Sequence, residues 1–148
     1  MAKKDIQKEI KKLILSNDPD VHSRAILPED SDEVVKDKQN KMFEIGCDAS
    51  LTIYFTDNTF LKLFAQKGYT YDGASIPFKI GKGNMKLLIP SLYHDILCEN
   101  KSLIDFNREL SSKIFYEALL LCHVNKVIAW IMYFAVDNFQ KFMDWDKK

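Results

Sequence analysis

FEIGCDASLTIYFTDNTFLKLFA, residues 43–65, is the stretch of sequence that decides the fold. Apolar and polar side chains alternate through residues 43–47 and again through 51–55, which is typical of β-strands with one buried face. Residues 56–59 (TDNT) interrupt the alternation, and Asp and Asn tolerate the positive φ that tight turns need. The chain is therefore predicted to turn here and return as a partner strand, forming a small antiparallel sheet over about residues 42–65.

Helical patterns flank this sheet on both sides. Residues 5–16 carry four apolar side chains at helical spacing, which predicts an N-terminal amphipathic helix: Ile6, Ile10, Leu13 and Ile14. Three more patterns follow the sheet, over about residues 90–98, 103–122 and 126–142. The last is apolar nearly all round at its centre, which predicts the most buried helix. The predicted class is α+β: the sheet packs on a C-terminal three-helix bundle, with the N-terminal helix as an extra element.

The length of 148 residues predicts one domain, 1–148. Its first part, residues 1–41, is predicted to hold the N-terminal helix and a long polar loop over 28–41, with a short edge strand at 34–35. Long loops in compact domains are often functional, so this loop is a candidate for partner contacts. Residues 42–148 form the predicted core.

Charge and apolar content exclude several classes of function. Lys plus Arg and Asp plus Glu both number 21, so the basic excess of a general nucleic-acid binder is missing and none is expected as a partner. No apolar run follows the charged N-terminus, and the most apolar stretch, 127–136, is about half the roughly 20 residues that span a bilayer. We therefore expect neither a signal peptide nor a membrane segment. Three cysteines without a CxxC motif predict free thiols in a reducing compartment, and we expect no cofactor.

The segment GYTYDGASIP, residues 68–77, is the first candidate for chemistry. Asp72 and Gly73 form a turn pair that does not join two alternating strands, and small residues there allow close backbone approach. Asp72 and Ser75 lie three residues apart, a spacing that also suits a rigid turn locked by its own side chains. Both interpretations of the segment remain open.

His94, Asp95 and Arg108 are the second set of candidates. On a helix starting near Pro90, His94 and Asp95 would lie about 100° apart, so both can face one small pocket only at the edge of the helix. The alternative is a buried structural histidine. Arg108 is predicted either to form an exposed ion pair or to clamp Asp72 or Asp95 with its planar guanidinium.

These residues resemble the domain of unknown function family 1353. The resemblance covers roughly residues 43–145 and rests on Asp72-Gly73-Ala74-Ser75-Ile76-Pro77, His94-Asp95 and Arg108, with weaker matches in the last helix. Members of the family are small proteins of bacteria, bacteriophages and prophages. The family pattern places Asp four residues after the Arg, whereas this chain has Ser112 there. It has therefore lost one ligand that a metal site of His and carboxylates would use.

Three functional hypotheses follow. The first, which the resemblance and the Ser112 departure favour, is a bacteriophage-encoded accessory or virion-associated protein in the host cytoplasm or virion. It would bind other phage or host proteins, and its polar cluster would be structural. The second is a small hydrolase, with Ser75 or water as nucleophile, His94 as general base, and Asp72 or Asp95 orienting the imidazole. The third is metal-assisted hydrolysis, with His94, Asp95 and Asp72 as ligands.

Overall fold

The computed structural model describes residues 8–73, 85–100 and 108–142. Strands and one short helix form its first half, and helices form its second. In chain order the elements are β1 (Ile10–Leu15), β2 (Val21–Ser23), α1 (Asp32–Asn40), β3 (Phe43–Ile45), β4 (Ala49–Phe55), β5 (Phe60–Ala65), β6 (Thr70–Tyr71), a 3-10 turn (Met85–Leu87), α2 (Leu88–Glu99), α3 (Arg108–Leu121) and α4 (Lys126–Phe142). The α+β class is confirmed, with three helices in the C-terminal part.

The predicted hairpin is the centre of a three-stranded antiparallel sheet in the order β1-β4-β5. Asn58 has a φ of 68°, and the amide of Phe55 donates to the carbonyl of Thr59 at 2.9 Å, which closes the turn. One face of the sheet is buried against the helices, because α2 packs on β5 and α3 on β1. The side chains of that face are Leu13, Leu51, Ile53, Phe55 and Leu63.

A second antiparallel sheet, in the order β2-β3-β6, was not predicted. Its strand β3 lies within the alternation predicted at residues 43–47 but pairs with β2 and β6 instead of with the hairpin. Strands β2 and β6 have three and two residues, which is too short for alternation to show in the sequence. The chain turns between the two sheets at Gly46, where a β-carbon would collide with the Asp20 carboxylate. A larger residue at this corner would therefore have to displace the Asp20 side chain.

The N-terminal helix predicted over residues 5–16 is wrong for the part that the structure describes. Residues from Ile10 onward form β1, which pairs with β4, and a bulge between Ile10 and Lys12 shifts the register. Leu13 points into the core while Ile14 is exposed, the alternation of a strand. Apolar spacing alone allowed both interpretations, and pairing with the hairpin decided between them.

The polar segment 28–41 is not one long loop, and the edge strand predicted at 34–35 is wrong. Residues from Asp32 onward form α1. The Ser31 side chain caps this helix by accepting from the amide of Val34 at 3.3 Å, and two acidic residues occupy its first turn. The capping signal was present in the sequence, but no apolar face supported it, and α1 has no buried residue.

The prediction that the last helix is the most buried is also wrong. Ala129, Met132 and Val136 of α4 face the core, whereas Trp130 and Phe134 on its other side are 56% and 53% exposed. The helix lies at the edge of the bundle, where α3 is its main packing partner. Along the described parts of the chain, none of the helices combines the length and apolar character that crossing a bilayer requires.

Candidate functional site

The side chains of the predicted His-Asp pair, His94 and Asp95, point in different directions from helix α2. His94 is buried, with its ring centroid 4.8 Å from that of Phe115 and both ring nitrogens 3.8 Å from Cys98 Sγ. Burial lowers the pKa of His94 to about 4. At neutral pH the imidazole is therefore uncharged and sits among apolar and sulfur-bearing groups.

Asp95, one step along α2, belongs to a different environment. Burial and, to a smaller extent, the nearby carboxylates of Asp72 and Glu99 raise the pKa of its carboxyl to about 7, while Lys41 acts in the opposite direction. We refer to Asp72, Asp95 and Glu99 as the carboxylate cluster. Glu99 lies four residues after Asp95 and therefore on the same helix face. Asp95 consequently exchanges a proton near neutral pH.

Strand β6, which directly precedes Asp72 of the carboxylate cluster, is bonded to α2. The Tyr71 hydroxyl is buried and donates to the carbonyl of Leu88 at 2.8 Å. Burial, Asp95 and Glu99 all raise the pKa of neighbouring Tyr69 above its usual range, so its phenol keeps its proton. Gly73 follows with a φ of 68°, a left-handed conformation that favours glycine. Asp72 and Gly73, the two residues of the DGASIP segment that the structure describes, thus follow directly after a strand anchored to α2.

Arg108 has a different partner from either residue predicted for it. Its guanidinium donates to the carboxylate of Asp137 on α4, and the Ser112 hydroxyl donates to the same carboxylate oxygen at 2.9 Å. The Arg108 and Asp137 side chains are 16% and 24% exposed, so the pair is neither fully buried nor free in solvent. These three residues, the Arg108–Ser112–Asp137 triad, tie α3 to α4.

The predicted site residues therefore separate into three places. Asp72 and Asp95 come together as carboxylates, His94 faces the interior beside Phe115, and Arg108 joins α3 to α4. Ser75 lies outside the described residues. Within the described segments, no three or more His, Cys, Asp or Glu side chains are arranged to hold a metal ion. The ligand set proposed for metal-assisted hydrolysis, His94 with Asp95 and Asp72, does not form such a group.

One protein-family model matches this chain. The family model described as "Protein of unknown function (DUF1353)" matches residues 50–136, more than half of the chain. The chain belongs to this family. No curated protein and no solved structure matches it. The DUF1353 match spans the carboxylate cluster and most of the Arg108–Ser112–Asp137 triad, and ends one residue before Asp137.

Ser112, at the position where the resemblance implied an Asp, contacts Asp137. Asp at this position would place a second carboxylate beside Asp137, whereas serine donates a hydrogen bond to it. Here the negative partner of Arg108 comes from α4. Asp137 was missed at the sequence level, although a lone carboxylate ending a long apolar stretch is a recognisable signal, because such groups are usually paired when partly buried.

Proposed function

We propose that this DUF1353 protein is a bacteriophage-encoded accessory or virion-associated protein that binds a partner protein through α4. The phage assignment rests on the family resemblance, and the binding role rests on one observation. Four large apolar residues at helical spacing line the outer side of α4 and are exposed: Val127, Trp130, Ile131 and Phe134. We refer to these as the α4 outer face.

The α4 outer face is large and uncharged. Between Lys126 and Asp137 the helix has no charged residue, and the Trp130 and Phe134 rings stack with centroids 5.5 Å apart. The Trp130 and Phe134 side chains are 56% and 53% exposed and together offer roughly 160–270 Å² of accessible surface, since each can bury about 150–250 Å². That is roughly a fifth to a third of what one partner buries in a standard interface.

The shape of the α4 outer face indicates what kind of surface its partner contributes. The apolar face runs from Val127 to Phe134, which at the helical rise gives a stripe of about 12 Å. An apolar stripe without charge gains most from another apolar stripe and would leave a charged partner unpaired. We therefore expect the partner to contribute the apolar face of an amphipathic helix, packed along α4. The Arg108–Ser112–Asp137 triad ties α4 to α3 about one turn beyond Phe134.

The test is affinity capture from nuclease-treated lysates of phage-infected host cells. Wild type is compared with Trp130→Glu/Phe134→Glu and with a matched control, Ile26→Glu/Leu27→Glu, which changes two exposed apolar residues elsewhere. We expect a partner that the control retains and the α4 variant loses. Crosslinking with mass spectrometry should place its contact in an amphipathic helix. Capture that does not depend on Trp130 and Phe134 would contradict the proposal, and self-association lost in the α4 variant would identify a second copy as the occupant instead.

A small hydrolase remains a second candidate because of one observation on Asp95. A carboxyl with a pKa of about 7, beside Asp72, matches the acidity that general acid–base catalysis needs near neutral pH. The geometry favours Asp95 over His94 as the base, because the His94 ring contacts Phe115.

Activity measurements test the hydrolase candidate. Wild type, Asp95→Asn and Ser75→Ala are assayed on chromogenic esters and phosphate esters between pH 5 and 9. If Asp95 is the general base, the hydrolysis rate should rise with pH, with an inflection near the pKa of Asp95. In Asp95→Asn the rate should fall by about a hundredfold or more, within the range that general-base catalysis contributes. A rate that Asp95→Asn leaves unchanged would exclude it.

A further inference from the structure

The outer face of the β1-β4-β5 sheet combines exposed aromatic rings with lysines. On β5, Phe60 and Phe64 are 64% and 66% exposed, and Lys62 lies between them on the same face because strand side chains alternate. On the neighbouring strands, Tyr54 is the register partner of both Phe60 and Lys12. We refer to these five residues as the sheet outer face.

The rings and the ammonium groups of this face are arranged in contact. The Tyr54 and Phe60 centroids lie 6.0 Å apart, with Lys12 Nζ 5.3 Å from the Tyr54 ring centroid. Lys62 Nζ lies 5.0 Å from the centroid of Phe64. Neighbours on one face of a strand are about 6–7 Å apart, so β5 presents ring, cation and ring in sequence. This order offers π surfaces with positive charge between them.

Charge is segregated onto this sheet although the protein as a whole is neutral. The three strands carry three lysines and no carboxylate, whereas the whole chain has equal numbers of acidic and basic residues. In the turn that joins β4 to β5, Asp57 is already paired with Lys8, with 3.2 Å between Oδ2 and Nζ. The sheet outer face itself therefore carries two ammonium groups, Lys12 and Lys62, and no carboxylate, so its occupant is expected to be anionic.

We propose that the sheet outer face binds single-stranded nucleic acid. An occupant that is both anionic and planar satisfies both properties of the surface, because bases stack on the rings while lysines meet the phosphates. Only a single strand exposes its bases for such stacking. This site is separate from the α4 outer face, lies outside the carboxylate cluster, and revises the expectation from overall charge that no nucleic acid is bound.

The test is fluorescence anisotropy with labelled oligo(dT) and oligo(rU), each about twenty nucleotides long to exceed the usual site size, at low salt. We expect Phe60→Ala and Phe64→Ala each to weaken binding about tenfold, the loss typical of one base–aromatic stack. Phe64→Trp should keep the affinity and Phe64→Leu should lose it, since leucine preserves apolarity but has no π surface. Circular dichroism confirms that each variant is folded.

Salt dependence tests the role of the lysines. Each lysine that neutralises a phosphate of a single strand adds about 0.7 to the slope of log affinity against log salt, so Lys12→Gln/Lys62→Gln should lower that slope by about 1.4. The matched control, Lys36→Gln/Lys113→Gln, removes two exposed lysines from α1 and α3 and should leave the slope unchanged.

Several outcomes would overturn the proposal. The first is that neither oligonucleotide binds at low salt. The second is that Phe64→Leu binds as well as wild type, since an unchanged affinity would indicate that the face binds an apolar or protein partner. An equal loss of salt dependence in the control lysine variant would show that binding follows overall charge and not this face. Heparin binding that falls in parallel with oligonucleotide binding in the phenylalanine variants would show that the face binds polyanions without base stacking. Preference for duplex over single strand would also contradict it.

Discussion

Helices α2 and α4 are comparably apolar, yet they lie in different surroundings. Eight of the twelve residues of α2 are buried, because the helix packs on both β5 and α3. The longer α4 packs mainly on α3 and leaves Trp130 and Phe134 exposed. Apolar composition therefore does not decide burial, since a helix between two layers is covered on both sides and a helix at the edge is covered on one. The uncovered side of α4 is what makes it the candidate binding surface.

The largest effect should come from the interior of α2. Leu92 is fully buried, so Leu92→Ala is expected to lower the free energy of unfolding by about 2–5 kcal/mol, because it removes apolar burial and leaves a cavity. The matched change on the exposed side of α4, Ile131→Ala, should cost less than about 1 kcal/mol. Urea unfolding measures both. Equal losses of stability would show that the α4 outer face is covered in solution.

The next effect should come from the Arg108–Ser112–Asp137 triad that holds α4. Asp137→Ala removes the acceptor of both donors, and we expect it to cost about 1.5–3 kcal/mol, as for hydrogen bonds to charged groups. Ser112→Ala removes one donor and should cost about 1 kcal/mol. Chemical denaturation compares the two. If Asp137→Ala unfolds like wild type, α4 is held by apolar packing alone.

Opposite pH dependences within α2 give a third prediction. The pKa of Asp95 is raised to about 7, so its contribution to stability is complete below about pH 4 and is lost as pH rises to 7. The pKa of His94 is lowered to about 4, so its contribution is present above about pH 6.5 and is lost as pH falls to 4. Between about pH 4 and 6.5 the two slopes oppose each other.

Single variants separate these two slopes. In Asp95→Asn, stability should fall on acidification from about pH 6.5 to 4.5, and in His94→Gln it should rise, each by at most about 1.4 kcal/mol per pH unit for one proton. Thermal melts at several pH values across this window and just above it follow the change. Parallel pH profiles in the two variants would show that these residues do not titrate in the directions given.

The smallest effect is expected at the start of α4. Val127 is exposed, and alanine has the higher helix propensity, so Val127→Ala should leave stability within about 0.5 kcal/mol of wild type or raise it slightly. The same substitution should still weaken partner capture if the α4 outer face is the binding surface. A marked loss of stability would instead place this end of α4 in the core.

The part of the fold that could be predicted is the part with strong local signals. The β4–β5 hairpin has alternating strands and a turn with Asp57 and Asn58, and these signals agree with each other. In contrast, β1 has apolar residues that fit a helix as well as a strand, and the sequence alone offered no means of choosing. Helix α1 has a capping serine but no apolar face, so the periodicity that identifies most helices is missing.

The candidate site divides in the same way. One helical step between His94 and Asp95 is a local property, so their divergence follows from the sequence and the rotation of about 100° per residue. The proximity of Asp72 to Asp95 and the choice of Asp137 as the partner of Arg108 join residues more than twenty positions apart. Nothing in local spacing distinguishes Asp137 from other carboxylates as a partner for Arg108.

The sequence by itself determined the α+β class, the hairpin, the three C-terminal helices and the family to which the chain belongs. These depend on periodicity, turn chemistry and short motifs, which are local along the chain. Only the tertiary structure decided that β1 is a strand, that α4 has an uncovered side and that the sheet outer face gathers lysines and rings without a carboxylate. Each of these depends on which segments meet in space, because strand pairing, helix layering and charge segregation arise from contacts between distant parts of the chain.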